Sequence, residues 1–176
     1  SDGSQPVGRG IGPALEARDV LAVLQCRRDA PADLRARAIT LAGEILELTK
    51  YCAPGGGRRL ARETLDDGRA WSKLQAICEA QGGMRIPPLA TRRWEMVAHE
   101  QGTLRSLDNR RLARAAKLAG APAARAAGIL LRARVGDRVE IGQPLLELHA
   151  ESSGEIEYAR HFLAAQPGIF EIEVER

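Results

Sequence analysis

Aromatic side chains are scarce in this sequence: two Trp, two Tyr and two Phe supply 3% of 176 residues. Surfaces for single-stranded nucleic acid stack bases on rings set among basic residues. The arginine clusters here, Arg110, Arg111 and Arg114 and then Arg132, Arg134 and Arg138, have no rings among them. They read as solvated faces, and no nucleic-acid partner is expected. With hydrophobic residues still at 44%, the core must be aliphatic and rich in alanine.

Charge of one sign is not in excess either. The 26 basic and 23 acidic residues leave a formal net charge of +3, interspersed along the chain as on a solvated surface. Cysteine is too rare for a disulfide framework: Cys26, Cys52 and Cys78 are scattered and odd in number, which fits a reducing compartment. No Cys-x-x-Cys or Cys/His ligand cluster is present, so no zinc site is expected. His99, His149 and His161 share no short metal-binding spacing and define no catalytic triad by motif. No apolar run starts the chain or approaches the ~20 residues of a membrane span, so the expected location is cytoplasmic, with no membrane partner.

What the sequence does have is concentrated in its first nineteen residues, Ser-Asp-Gly-Ser-Gln-Pro-Val-Gly-Arg-Gly-Ile-Gly-Pro-Ala-Leu-Glu-Ala-Arg-Asp. A polar, glycine-rich loop leads to Pro13, a residue suited to the first turn of a helix. A helix is predicted to about Gln25, with Ala17, Val20, Leu21 and Leu24 on one face. Glu16 and Asp19 lie in its first turns, where carboxylates suit the positive helix end and glycine-loop carbonyls add oxygen donors for a cation. The spacing Gly8-x-Gly10-x-Gly12 is not the dinucleotide fingerprint.

A second helix is predicted from Pro31 to about Lys50, with Leu34, Ala38, Leu41, Ile45 and Leu48 as a stripe that packs into a core. Gly55-Gly-Gly57 ends it before Arg58 and Arg59. That run lacks a phosphate-loop pattern and reads as a turn between helices. Helices at about 58–67 and 69–81 follow, the second burying Trp71, Leu74, Ile77 and Cys78 and stopping at Gly82-Gly83.

Pro87-Pro88 marks a linker. Beyond it, 94–98 and 102–107 alternate as strands joined by a turn near Glu100, and Asp108 caps a helix to Gly120. Short strands are predicted over 127–135 and 144–149. Ser152 and Glu155 have capping-box spacing for a last helix to about Ala165, and a half-buried strand covers 169–175 with its glutamates to solvent.

The opening motif, Gln81-Gly82-Gly83 and the stretch Val135-Gly-Asp-Arg-Val-Glu-Ile-Gly-Gln-Pro-Leu-Leu-Glu-Leu-His-Ala150 together resemble the thymidine/pyrimidine nucleoside phosphorylase family. The wording is most similar to the branch of thymidine phosphorylases and AMP phosphorylases. The resemblance implies the C-terminal portion of a phosphorolytic pentosyltransferase. Its fold would be a mostly helical α/β remnant over residues 1–86, then an α+β C-terminal domain of pyrimidine nucleoside phosphorylase type over 87–176. It implies a homodimeric parent acting on phosphate and a pyrimidine nucleoside in nucleoside salvage, with no organic cofactor. In such a parent the phosphate loop, the catalytic histidine and the base-holding residues lie upstream, so no catalytic residue is expected in this chain and the fragment is expected to be inactive. The resemblance also implies a potassium-like cation held by the main-chain carbonyls of Val7 and Gly10 and the carboxylate of Asp19.

One alternative is a nucleoside monophosphate (AMP) phosphorylase; the words around 135–149 are similar to biotinyl/lipoyl barrel-sandwich domains as well, which makes a non-catalytic carrier-like or interaction domain the other. A carrier needs a lysine on an exposed hairpin tip, and Lys50, Lys73 and Lys117 all fall on predicted helices or their ends.

Overall fold

The computed structural model describes residues 3–174, so Ser1 and Asp2 of the opening motif and Glu175 of the last predicted strand lie outside it. In chain order the elements are β1 (Gly10–Ile11), α1 (Pro13–Leu24), α2 (Ala32–Leu48), α3 (Gly57–Asp66), α4 (Arg69–Ala80), β2 (Arg92–Val97) and β3 (Gly102–Leu107). They continue with α5 (Asn109–Leu118), β4 (Gly128–Leu131), β5 (Arg138–Val139), β6 (Pro144–Ala150), α6 (Ser153–Ala164) and β7 (Phe170–Glu173). The fold is mixed helix and antiparallel sheet, the α+β class expected for the C-terminal part. Two compact units result: residues 18–86, and residues 3–17 together with 87–174, the division falling within α1.

In the helical unit, Val23, Ile39, Ala61 and Leu65 form the core, with Leu24, Leu34 and Leu46 packed against it. Helices α2 and α3 meet where Gly43 faces Gly57, and neither position has room for a Cβ. That contact turns α2 away from the orientation its sequence predicts. Ile39 and Gly43 are its buried residues, while Leu41, Ile45 and Leu48 are exposed. Similarly, α4 has no fully buried residue, and Ile77 of its predicted buried face is exposed. On α1 the buried residues are Ala14, Leu15, Asp19, Ala22 and Val23, a face offset from the predicted one, with Val20 outside it. The reason is common to all three: periodicity shows that a helix has an apolar side, but the neighbour determines which part of a broad apolar arc is covered.

The second unit is built on a four-stranded sheet, β1-β4-β6-β2, and a three-stranded sheet, β5-β3-β7. Helices α5 and α6 cover one face of the larger sheet, where Leu112, Ile129, Leu131, Leu146, Leu148, Leu163 and Ile169 are buried together. Leu104, Val139 and Leu145 form a smaller core with Phe170 and Ile172 against it. Both predicted caps are present. Asp108 accepts from the amides of Arg110 and Arg111 at 2.9 and 3.0 Å, and the Ser152 hydroxyl accepts from the Glu155 amide at 3.2 Å.

Strands β2 and β3 do not form the hairpin suggested by their short connection. β2 pairs with β6, whereas β3 pairs with β5 and β7. Gly102, at φ +158 and with Glu173 O only 2.1 Å from where a Cβ would stand, lets β3 lie against β7 instead. On β7 the outward glutamates are paired, Glu171 with the Ser106 hydroxyl at 2.6 Å and Glu173 with Arg105, which supports the solvent-face reading.

Candidate functional site

The opening loop is fastened along its length to the second unit. Gly3 O accepts from Asn109 Nδ2 at 2.8 Å, Gln5 Oε1 accepts from the Val135 amide at 3.1 Å, and Gly8 O accepts from the Arg134 guanidinium. Arg9 O accepts from the Leu131 amide at 2.8 Å, and β1 then pairs with β4 through Gly10↔Leu130 and Ile11↔Ile129. The sequence reads here as a glycine-rich loop opening on a strand-like fragment, and the structure limits the strand to two residues, too few to carry a period.

Antiparallel partners alternate between pairs that exchange hydrogen bonds and pairs that do not. Since Arg9 bonds Leu131, Gly10 is at a non-bonded pair and its carbonyl points away from β4. A side chain at Gly10 would stand 2.5 Å from Leu15 C and 2.7 Å from Glu16 N, so the loop lies directly on the first turn of α1. Two donors at that helix start have partners within the unit. The Gly12 amide bonds Glu16 Oε1 at 2.9 Å, and the Ala14 amide bonds Arg125 O at 3.1 Å. With these amides engaged, nothing supports an anion or dinucleotide site at α1.

The predicted cation ligands are placed as follows. Val7 is half-buried in the loop and Gly10 is buried in β1, both in the second unit. Asp19 is on α1 in the helical unit, and its side chain is buried. Two carbonyls and a carboxylate are hard oxygen donors, the chemistry that a group 1 or group 2 cation takes. Among the described residues no three His, Cys, Asp or Glu side chains come together as a metal cluster.

At the end of α2, Glu47 closes off the glycine run. Its carboxylate accepts from the Gly57 amide at 2.9 Å, at the start of α3. The amides of Gly55 and Gly57 hold its carboxyl below the ordinary value; desolvation opposes them less strongly, and the charge of Arg58 adds a still smaller lowering. A helix start that could cradle a phosphate is thus taken by the chain's own carboxylate. The turn reading stands.

One constellation was missed from the sequence. Glu147 and His149, two apart on β6, face the same side of the sheet and are buried, with His149 Nε2 3.1 Å from Glu147 Oε1. Arg132 reaches Glu147 at 2.5 Å and Arg93 approaches at 3.7 Å, while Glu95 stands opposite Glu147 in the ladder. Burial pushes the Glu147 carboxyl up. The Arg132 hydrogen bond and the charges of His149, Arg132 and Arg93 more than offset that and leave it below its ordinary value. The available signal was the two-residue spacing of Glu and His inside an apolar strand. The other two histidines, His99 after β2 and His161 on α6, are exposed and on separate elements.

The lowered Glu147 carboxyl gives a testable sign. A carboxylate depressed in the folded state stabilises above its unfolded pKa, near ~4.3 for glutamate, and loses that contribution as pH falls through the folded value. Glu147→Gln is therefore expected to lower the urea midpoint at neutral pH, with the gap from the parent chain closing below about pH 4. A gap that stays constant across that range would remove the charge from the explanation.

The three lysines are at the end of α2 (Lys50), on α4 (Lys73) and in the last turn of α5 (Lys117), so none is on a hairpin tip.

Residues 103–169 match the pyrimidine nucleoside phosphorylase C-terminal domain. Putative thymidine phosphorylase 1 of Acidovorax sp. (strain JS42) is 59% identical over 175 residues, covering 99% of this chain and 34% of that protein. Putative thymidine phosphorylase of Chelativorans sp. (strain BNC1) is 57% identical over 173 residues, covering 98% of this chain and 34% of that protein. For that of Maricaulis maris (strain MCS10) the identity is 54% over 176 residues, covering 100% and 34%. The chain spans about a third of the length of the curated relatives it matches.

Proposed function

From the premise that this chain is a C-terminal portion of a pyrimidine nucleoside phosphorylase family member, we propose that the whole polypeptide is a thymidine phosphorylase. The observation that carries the reading is the 59% identity to a protein of that name over 99% of the chain. In the reaction, a phosphate oxygen bonds to C1 of the deoxyribose as the bond from C1 to the thymine nitrogen breaks. Thymine leaves with a proton and 2-deoxyribose 1-phosphate remains.

In this reading, residues 1–86 close the α/β domain and 87–176 are the C-terminal domain. Catalysis belongs to the upstream part. The carbonyls of Val7 and Gly10 and the carboxylate of Asp19 contribute to a potassium-like site in the whole enzyme, and their hard oxygens suit that ion. A homodimer in the cytoplasm belongs to the same proposal. AMP phosphorylase remains the second reading on wording alone. A carrier role has no lysine on a hairpin tip to support it.

The test is phosphate-dependent base release from thymidine, uridine and AMP, by the full-length polypeptide and by the 176-residue chain, with and without potassium. Thymine release by the full-length polypeptide alone, faster with potassium, is the expected result. Preference for AMP would move the assignment to the other branch. Turnover by the short chain would overturn the placement of catalysis upstream.

A further inference from the structure

Helix α2 has a second apolar side that the described residues leave uncovered. Leu41, Ile45 and Leu48, spaced by four and three residues, are 54%, 60% and 83% exposed, and Tyr51 just beyond them is 76% exposed. Ile45 and Tyr51 also line an open groove of about 810 Å³. The groove lining is aliphatic apart from Tyr51, Thr64, Arg69 and Lys73. Eight of the twelve large hydrophobic residues exposed among those described lie within 18–86, the smaller of the two units. In the second unit the exposed ones are far apart in sequence: Leu89, Ile141, Tyr158 and Val174.

Single exposed hydrophobics are ordinary, but a helical stripe continuous with an apolar groove marks a surface made to be covered. What covers it follows from length. Relatives with 54–59% identity match this chain over only 34% of their own length, so about two thirds of such a polypeptide lies outside the structure. The chain is the C-terminal portion, so the missing part lies upstream of it, with the opening loop and the first turn of α1 as the short stretch between that part and the helical unit. A segment tethered to this unit through so short a stretch of chain meets it at high effective concentration, which a separate molecule does not.

We propose that the face formed by Leu41, Ile45, Leu48 and Tyr51, with the adjoining groove, seats the upstream part of the same polypeptide. The second side of α2 is then an internal packing surface of the whole protein. This goes beyond the catalytic assignment and does not depend on which nucleoside is cleaved.

Carbene footprinting with a photolysed diazirine, read on peptides spanning 38–51, tests it in the 176-residue chain and in the full-length polypeptide over a range of concentrations. Heavy labelling in the short chain and severalfold protection in the full-length polypeptide, unchanged on dilution, is expected. Equal labelling in the two overturns the proposal. Protection that fades on dilution, in either, assigns the face to a second copy and also overturns it. As an independent check, the double variant Ile45→Glu/Leu48→Glu is expected to leave the urea midpoint of the short chain unchanged and to lower that of the full-length polypeptide. Equal tolerance in both contradicts the assignment.

Discussion

Gly57→Ala is expected to unfold much of the helical unit, and Gly43→Ala to weaken it nearly as much. A Cβ at Gly57 would stand 2.1 Å from Gly43 O and 2.8 Å from Glu47 Cγ, and one at Gly43 would stand 2.7 Å from Arg58 N. Backbone atoms cannot swing aside as the end of a side chain can, so α2 and α3 must move apart. Separation loosens the core of Val23, Ile39, Ala61 and Leu65 and, for Gly57, displaces the Glu47 carboxylate from the start of α3. Overpacking costs about 1–3 kcal/mol where neighbours can adjust and more where they cannot. We expect at least ~3 kcal/mol for Gly57→Ala, set against the roughly 5–15 kcal/mol that holds a typical domain. Gly55→Ala is the control, because Gly55 has φ +80 but nothing within 4 Å. It should lose only the ~1–2 kcal/mol of a left-handed residue. Urea unfolding followed by Trp71 fluorescence, in chains carrying Trp94→Phe, reads the helical unit by itself. A Gly57→Ala shift no larger than that of Gly55→Ala would show that the helices do not cross this closely.

The same pair of glycines explains what the sequence did and did not reveal about the fold. Helix spans were legible because their signals are local. Pro13, Asp108 and the Ser152–Glu155 pair each mark a helix start within three residues, and the structure uses all of them. Helix orientation was not legible. The stripe Leu34, Ala38, Leu41, Ile45 and Leu48 is apolar at helical spacing, but Gly43, a residue with no side chain to signal burial, is where α3 approaches. Strand pairing failed for a related reason. The short turn after β2 favours a local hairpin, while the observed partners of β2 and β3 include β6 and β7, far along the chain.

For the site, the opening loop was recognisable by its wording, whereas its fastening was not. Arg134, Val135 and Asn109 hold Gly8, Gln5 and Gly3 from more than a hundred residues away. Glu147 and His149 carried a readable cue in their spacing on a strand. Arg132 and Arg93, which with His149 hold the Glu147 carboxyl below its ordinary value, come from two other segments and only the sheet register brings them in.

Gly128→Ala and Gly12→Ala should detach that loop from the second unit. The two glycines face each other across β1 and β4. A Cβ at Gly128 would stand 2.2 Å from Ile11 O, and one at Gly12 2.4 Å from Ala127 O. Both have backbone angles that an L side chain rarely adopts, φ +152 and +131. Either substitution therefore combines left-handed strain of ~1–2 kcal/mol with an overpacking cost of about 1–3 kcal/mol. The two-residue ladder of β1 has little to set against that, so the cheapest relief is loss of the Gly10↔Leu130 and Ile11↔Ile129 pairing. Hydrogen exchange is the direct reading, since the amides of Leu131 and Val135 bond to Arg9 O and Gln5 Oε1. Their protection should fall sharply in Gly128→Ala, while that of β6, paired with β2 as well as β4, should fall less. Gly136→Ala separates strain from contact, because Gly136 has φ +95 with nothing within 4 Å. If Gly128→Ala leaves the Leu131 and Val135 amides as protected as Gly136→Ala does, the loop is held by its hydrogen bonds alone. If protection is lost only in the Gly12 and Gly128 variants, the close glycine contact is what aligns Val7 and Gly10 in the loop.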